Sequence, residues 1–198
     1  RVAARLNTPP SYTNDTANWL LGRLTRATVA SAIPGGVSQT RASSFAYNAA
    51  NGLLTQEVIE PDNAALRLQT DYAYDAFGNK TSVTVSGVDI ATRTTRTAYD
   101  AQGRFPTSSS NALNQSETRV YDPRFGTMTS LTGPNNLTTQ WAYDGFGRKV
   151  SEARADGTTT TVSYDWGGVG SYTVTTTSSG TSPATVHYDI LNREVRSE

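Results

Sequence analysis

Seven short stretches share one alternation of side chains. An apolar or aromatic residue, a small residue and a tyrosine follow one another in Phe45-Ala46-Tyr47, Tyr72-Ala73-Tyr74, Trp141-Ala142-Tyr143 and Val162-Ser163-Tyr164. The same frame runs through Thr97-Ala98-Tyr99, Arg119-Val120-Tyr121 and Val186-His187-Tyr188, with Arg119 as the charged exception. Residues two apart project from one face of a strand, so this period predicts a strand ending at each Tyr. The Tyr face carries the larger side chains and the alternate face mainly small ones. Small residues there permit close packing of another layer, or a tight curve. The tyrosines at 47, 74, 99, 121, 143, 164 and 188 are separated by 27, 25, 22, 22, 21 and 24 residues. Each interval holds two strands of about seven residues and two turns. The Tyr rings of successive repeats are expected to stack on one another, as in other repeat architectures.

Turn chemistry follows each Tyr. Asp comes next six times, at Asp75, Asp100, Asp122, Asp144, Asp165 and Asp189. With ten Tyr and eleven Asp in 198 residues, chance supplies about half an occurrence. The clearest copies are Tyr74-Asp75-Ala76-Phe77-Gly78-Asn79, Tyr99-Asp100-Ala101-Gln102-Gly103-Arg104 and Tyr143-Asp144-Gly145-Phe146-Gly147-Arg148. Asp suits the first position of a type I turn, where its carboxylate accepts a bond from an N–H two residues on. Gly78, Gly103 and Gly147 suit the closing left-handed position of a bulged hairpin. Asn192 takes that place after Tyr188-Asp189, and after Tyr121-Asp122 the glycine comes one residue late, at Gly126. Tyr164-Asp165 is a looser copy, followed by Gly167-Gly168-Val169-Gly170. A second set of turn signals lies midway, at Pro61-Asp62-Asn63, Ser86 to Asp89, Asn111 to Asn114, Gly133 to Asn136, Ala155 to Gly157 and Ser179 to Pro183.

The N-terminal part obeys this rule less well. Residues 1–44 read as an irregular lead-in, with Pro9-Pro10 and Asn14-Asp15 as breakers and a turn at Ile33-Pro34-Gly35-Gly36. Trp19-Leu20-Leu21-Gly22-Arg23 reads as a divergent repeat with Trp in place of Tyr. Residues 45–198 form the repeat array. Only Asn63 to Leu68 could make a short turn of helix. The expected class is all-β: repetitive antiparallel hairpins in a meander.

Composition narrows the function. The hydrophobic fraction is 36%, low for a globular core, and threonine runs such as Thr158 to Thr161 favour strands. Seventeen basic and seventeen acidic residues cancel, which gives nucleic-acid binding no electrostatic support. No run of apolar residues is long enough for a membrane-spanning helix. Cysteine is absent, so disulfides and Cys-based metal sites or nucleophiles are excluded. The chain opens Arg1-Val2-Ala3-Ala4-Arg5 without an initiator Met or signal peptide, and reads as a piece of a longer protein.

No constellation of catalytic, cofactor-binding or metal-ligating residues emerges. The six Asp residues could be imagined as glycosidase carboxylates, but their place between Tyr and a turn glycine is accounted for by the turn alone. His187 is the single histidine and cannot anchor a zinc site or a Ser-His pair. Gly167 to Gly170 lacks the Lys-Ser/Thr of a phosphate loop, and Asp156-Gly157 and Asp62-Asn63 lack the alternating oxygens of a calcium loop. Trp19, Trp141 and Trp166 could stack on sugar rings; the competing reading has them filling gaps between repeats.

The motif Tyr-Asp-x-x-Gly-Arg, a strand, a turn and a second strand resembles the YD-repeat, or RHS-repeat, family over residues 45–198. Tyr74, Tyr99 and Tyr143 head close copies; Tyr121, Tyr164 and Tyr188 head partial ones. The resemblance implies a structural role without catalysis or cofactor. Repeats in such proteins form a long β-sheet that spirals into a hollow shell, which in bacterial toxins encloses a C-terminal toxic domain. The implied partners are the remainder of the parent shell and its enclosed toxin, with self-association through strand edges, and the implied location is secreted or cell-surface by bacterial export. The alternative is a carbohydrate- or receptor-binding adhesion module, with a glycan as partner. A third reading, a self-cleaving segment, would break near Asp122-Pro123; its flanks there are ordinary repeat.

Overall fold

Period-two alternation becomes strand wherever the sequence carries it. The computed structural model describes residues 4–32, 36–167 and 170–198. The Ile33 to Gly36 turn and the Gly167 to Gly170 stretch thus fall largely outside the described residues. Sixteen strands succeed one another in sheet order as they do in the chain, antiparallel throughout. They are β1 (Ala4–Asp15), β2 (Leu20–Ala32), β3 (Ser38–Tyr47), β4 (Leu54–Ile59), β5 (Leu68–Tyr74), β6 (Lys80–Gly87), β7 (Ile90–Tyr99) and β8 (Pro106–Ser110). They continue as β9 (Ser116–Tyr121), β10 (Met128–Thr132), β11 (Thr138–Tyr143), β12 (Lys149–Ala153), β13 (Thr159–Asp165), β14 (Ser171–Ser178), β15 (Ala184–Asp189) and β16 (Glu194–Ser197). The described residues contain no helix, and Asn63 to Leu66 is a hydrogen-bonded turn with Ala65 N–H on the Asn63 side chain. The chain divides into two units, residues 1–103 with 110–114, and residues 104–109 with 115–198.

Two expectations about the N-terminal part are corrected. Residues 4–15 are strand, not irregular: β1 pairs along β2 from Ala4↔Ala32 to Asp15↔Leu20. Pro9 and Pro10 fall in the register shift between Thr8 and Ser11. Proline lacks the N–H that the ladder requires, and the bulge accommodates it. Trp19 is not a strand-ending Tyr equivalent. It lies in the β1–β2 turn at φ 60°, while Gly22 and Arg23 belong to β2. The turn is built by Asp15, whose carboxylate accepts the Asn18 N–H at 3.0 Å. Trp19 thus holds the left-handed position that Gly holds elsewhere.

Very little is enclosed. Among the described residues the buried apolar side chains are Ala42, 8% exposed, and Val58, 4% exposed. They lie on one face with Arg26, as the register Arg26↔Ser44 and Ser44↔Val58 requires. Arg26 forms an ion pair with Asp62, which draws the β4–β5 loop back over that face, and Glu60 N–H bonds to the Ala42 carbonyl.

Ties between strands replace a core. The Tyr74 hydroxyl donates to the Leu54 carbonyl at 2.8 Å, Tyr143 to Met128 at 2.8 Å, Tyr47 to Leu24 at 2.9 Å and Tyr164 to Lys149 at 3.4 Å. Leu54, Met128 and Lys149 open β4, β10 and β12, so Tyr74, Tyr143 and Tyr164 each bind the exit of the turn before, while Tyr47 reaches Leu24 further along β2. The expected direct stack of repeat tyrosines does not form among these four, because they sit on every second strand, about 9.6 Å apart at the usual spacing. The rings of Tyr172 and Tyr188 do stack, centroids 4.9 Å apart, across the neighbouring strands β14 and β15.

Replacing Tyr74 by Phe keeps the ring and leaves the Leu54 carbonyl without its donor. The expected loss is about 1 kcal/mol, read as a lower urea midpoint at unchanged m-value.

Candidate functional site

The row of turns after each Tyr is the part of the molecule where the sequence concentrates its pattern, and the same bonds recur along it. Asp144 Oδ1 accepts the N–H groups of Phe146 and Arg148, each at 2.9 Å. Asp75 does the same with Phe77 at 2.8 Å and Asn79 at 2.9 Å, and Asp189 with Leu191 at 2.9 Å and Arg193 at 3.0 Å. The chain reverses through Gly147 N–H to Asp144 C=O at 3.0 Å and Asp144 N–H to Arg148 C=O at 2.9 Å. Gly147, Gly78 and Gly103 adopt φ of 79°, 85° and 68°, and Asn192 takes 61°. Gly103 N–H closes on the Asp100 carbonyl at 2.9 Å. The turn after Tyr121 is one residue longer, closing through Gly126 N–H to Asp122 C=O at 2.8 Å.

The residue after the turn glycine has a role that period and turn rules do not give. Arg148 Nε donates to Asp144 Oδ2 at 2.7 Å, Arg193 Nε to Asp189 Oδ2 at 2.8 Å, and Asn79 Nδ2 to Asp75 Oδ2 at 3.0 Å. The motif's closing Arg or Asn therefore satisfies the second carboxylate oxygen. In the longer turn Arg124 does this for Asp122, at 2.7 Å. These bonds set the acidity of the row. Partial desolvation pushes Asp144 and Asp75 upward, yet the converging N–H donors outweigh it and hold both below the ordinary 3.8. Side-chain bonds from Arg193 and Arg124 hold Asp189 and Asp122 below it too. Asp165 differs: it lies inside β13 opposite Thr173, ahead of a larger loop.

A second recurring contact joins neighbouring turns. A Cβ on Gly52 would meet Leu20 at 2.9 Å, one on Gly78 would meet Leu53 at 3.8 Å, and one on Gly103 would meet Phe77 at 2.4 Å. In the second unit Gly126 lies under Phe105, at 3.2 Å, and Gly147 under Phe125, at 3.0 Å. Each turn lays an apolar side chain over the glycine of the next. The sequence signal was present, since an apolar residue stands next to each turn glycine or within two residues of it.

The three tryptophans stand apart. Trp141 lies on the Tyr face of β11, half-buried, in register with Glu152 of β12. Trp19 and Trp166 are 78% and 66% exposed. His187 contacts Glu198, at 3.0 Å. No group of three or more His, Cys, Asp or Glu side chains among the described residues could hold a metal ion. No helix among the described residues is long and apolar enough to cross a membrane.

Two measurements separate the forces in this row. Gly157, at φ 83° on the opposite rim, has open space around it. Gly157→Ala should cost only the left-handed strain, about 1–2 kcal/mol. Gly147→Ala should cost that and, with Phe125 at 3.0 Å, about 1 kcal/mol more for overpacking; equal losses in urea denaturation would refute the packing contact. The depressed carboxyls make stability pH-dependent. Their contribution is complete above the ordinary 3.8 and is lost as pH falls through the lower folded values. Urea midpoints should therefore drop below pH 3.8, less steeply in Asp144→Asn, which keeps the Oδ1 acceptor as Asn48 does.

Comparison with known proteins bears on the same row. The RHS Repeat family model matches residues 121–159, a stretch that holds the Asp122 and Asp144 turns. No curated protein sequence matches the chain. Among solved structures, TcdB2-TccC3-TEV superposes with a TM-score of 0.59 at 15% identity, covering 96% of this chain and 10% of that one. TcdB2-TccC3 gives 0.53 at 15%, covering 98% and 12%. TcdB2-TccC3 without its hypervariable C-terminal region gives 0.50 at 12%, covering 88% and 12%. The chain thus spans about a tenth of the length of these proteins. Residues 121–159 are thus similar to the RHS Repeat family, which the Tyr-Asp spacing also resembles, and the fold of the chain is similar to that of a segment of the TcdB2-TccC3 proteins.

Proposed function

We propose that this chain is a wall segment of a hollow shell, built by a longer exported RHS-repeat protein around a C-terminal toxin or effector segment. The observation that carries the reading is the near absence of an interior. Two apolar side chains are buried among the described residues, while the turns and tyrosines are tied at regular intervals along the strip. Such a strip suits a barrier, which excludes proteases by its continuity and needs no ligand. Likeness to segments of the much longer TcdB2-TccC3 supports partnership with the rest of such a shell. A sheet that continues into further repeats also leaves no free strand edges. The carbohydrate-binding alternative gains little from Trp141, which is half-buried on the Tyr face of β11.

Protease protection in the parent protein tests the proposal. The enclosed segment should be cleaved at least about tenfold more slowly in the native protein than after the strip is opened by Gly103→Val with Gly147→Val, because cleavage follows the population of the open form. Equal rates in the two proteins would overturn it.

A further inference from the structure

The ladder of apolar side chains on turn glycines breaks once, and the break leaves a cleft. Phe77 and Phe125 each stand one residue before their own turn glycine and cover the glycine of the following turn. Phe146 holds the same place before Gly147, yet it is 83% exposed. On the same rim the next left-handed glycine is Gly170, at φ 93°, where among the described residues only Ile190 Cβ lies nearby, at 3.9 Å, and that atom comes from the turn after it. Beside this glycine lies a cleft of about 840 Å³, lined by Arg148, Tyr164, Trp166, Gly170, Tyr172 and Ile190 among others. That volume falls in the range of ligand sites.

We propose that this cleft receives an aromatic side chain presented by another polypeptide segment. In five places the strip fills the equivalent position with Leu or Phe from its own preceding turn, so the floor is already matched to such a group. The walls are matched too. Trp166 packs against Tyr172, centroids 4.8 Å apart, and Tyr172 against Tyr188. The Arg148 guanidinium stands 4.2 Å from the Tyr164 ring centre and 5.8 Å from that of Trp166, so its cation faces the aromatic wall. A further ring gains an edge-to-face or stacked contact there together with a cation–π contact. A sugar fits less well, because the polar groups are spent. Arg148 is bound to Asp144 and Asp189 to Arg193, while the Asn192 side chain takes the Tyr172 hydroxyl. The inference rests on the packing pattern and holds whether or not the strip encloses anything.

The test is a titration of the 198-residue chain, followed by amide and indole N–H resonances, with a glycine pentapeptide carrying phenylalanine at its centre. An alanine version and a set of oligosaccharides are the other arms. The expected result is saturable shifts at the Trp166 indole and the Gly170 amide with a Kd of about 1 mM, absent with the alanine peptide. Trp166→Ala and Ile190→Ala should each weaken binding at least about threefold; both side chains are exposed, and unchanged strand amides report that the fold persists. No saturation, equal shifts from the alanine peptide, shifts from sugars in place of the phenylalanine peptide, or unaltered binding in both variants would each overturn the assignment.

Discussion

A strip of strands with almost no buried apolar surface must hold its neighbours together by something other than a core, and here the hydroxyls of Tyr47, Tyr74, Tyr143 and Tyr164 do so by bonding to backbone carbonyls of the strand before. Hydrophobic burial supplies most of the stability of an ordinary domain. Where it is scarce, the directional contacts decide the geometry. The Tyr74 and Tyr143 hydroxyls reach the first carbonyls of β4 and β10, so each fixes the strand that leaves the preceding turn. One such bond contributes only about 1 kcal/mol net. Repetition makes the sum, and since each bond joins consecutive repeats, stability behaves as a series of nearest-neighbour couplings.

Those couplings demand different things of the three motif positions. Asp is needed as an acceptor of two N–H groups, a task that Asn48 performs with the N–H groups of Ala50 and Asn51. The closing Arg is needed as a donor to the second oxygen, and Asn79 suffices. The glycine carries two separate constraints. Its φ favours a residue without Cβ, and Phe77 over Gly103 or Phe125 over Gly147 leaves no room for one. Asn192 and Trp19 show that the first constraint is not absolute, since both accept positive φ in their turns. A substitution at a covered glycine therefore perturbs two turns at once.

The hairpins were legible because they depend on short-range chemistry: two-residue alternation, and an Asp three residues before a Gly. The ties between repeats were less so. Nothing in a period says that the Tyr164 hydroxyl ends on Lys149, and the expectation of stacked tyrosines ignored the strand that intervenes. Residues 4–15 were not legible as strand because Pro9 and Pro10 read as breakers, whereas a bulge accommodates them within the ladder. Trp19 misled in the same way, since its type suggested the face of a strand and its backbone placed it in a turn. The Phe-on-Gly ladder was present in the letters, but it joins residues 21 to 26 apart (Phe77 to Gly103, Phe105 to Gly126, Phe125 to Gly147), and only the paired strands bring them together.

The electrostatics of the Asp row bear on what such a surface can do. A carboxyl that acts as a general acid near neutrality needs its pKa raised, by burial or by a neighbouring negative charge. Asp75, Asp122, Asp144 and Asp189 are moved the opposite way, each by donors that belong to its own turn. Both oxygens of Asp144 are occupied by Phe146 and Arg148, so the lone pairs that would take a substrate proton are already committed. A row of carboxylates can thus look like repeated chemistry in the sequence while its charge is used entirely to close hairpins. The loop after Tyr164 is the exception that shows the rule. There Asp165 remains within the strand, the turn enlarges, and an aromatic cleft opens where the neighbouring repeats are filled.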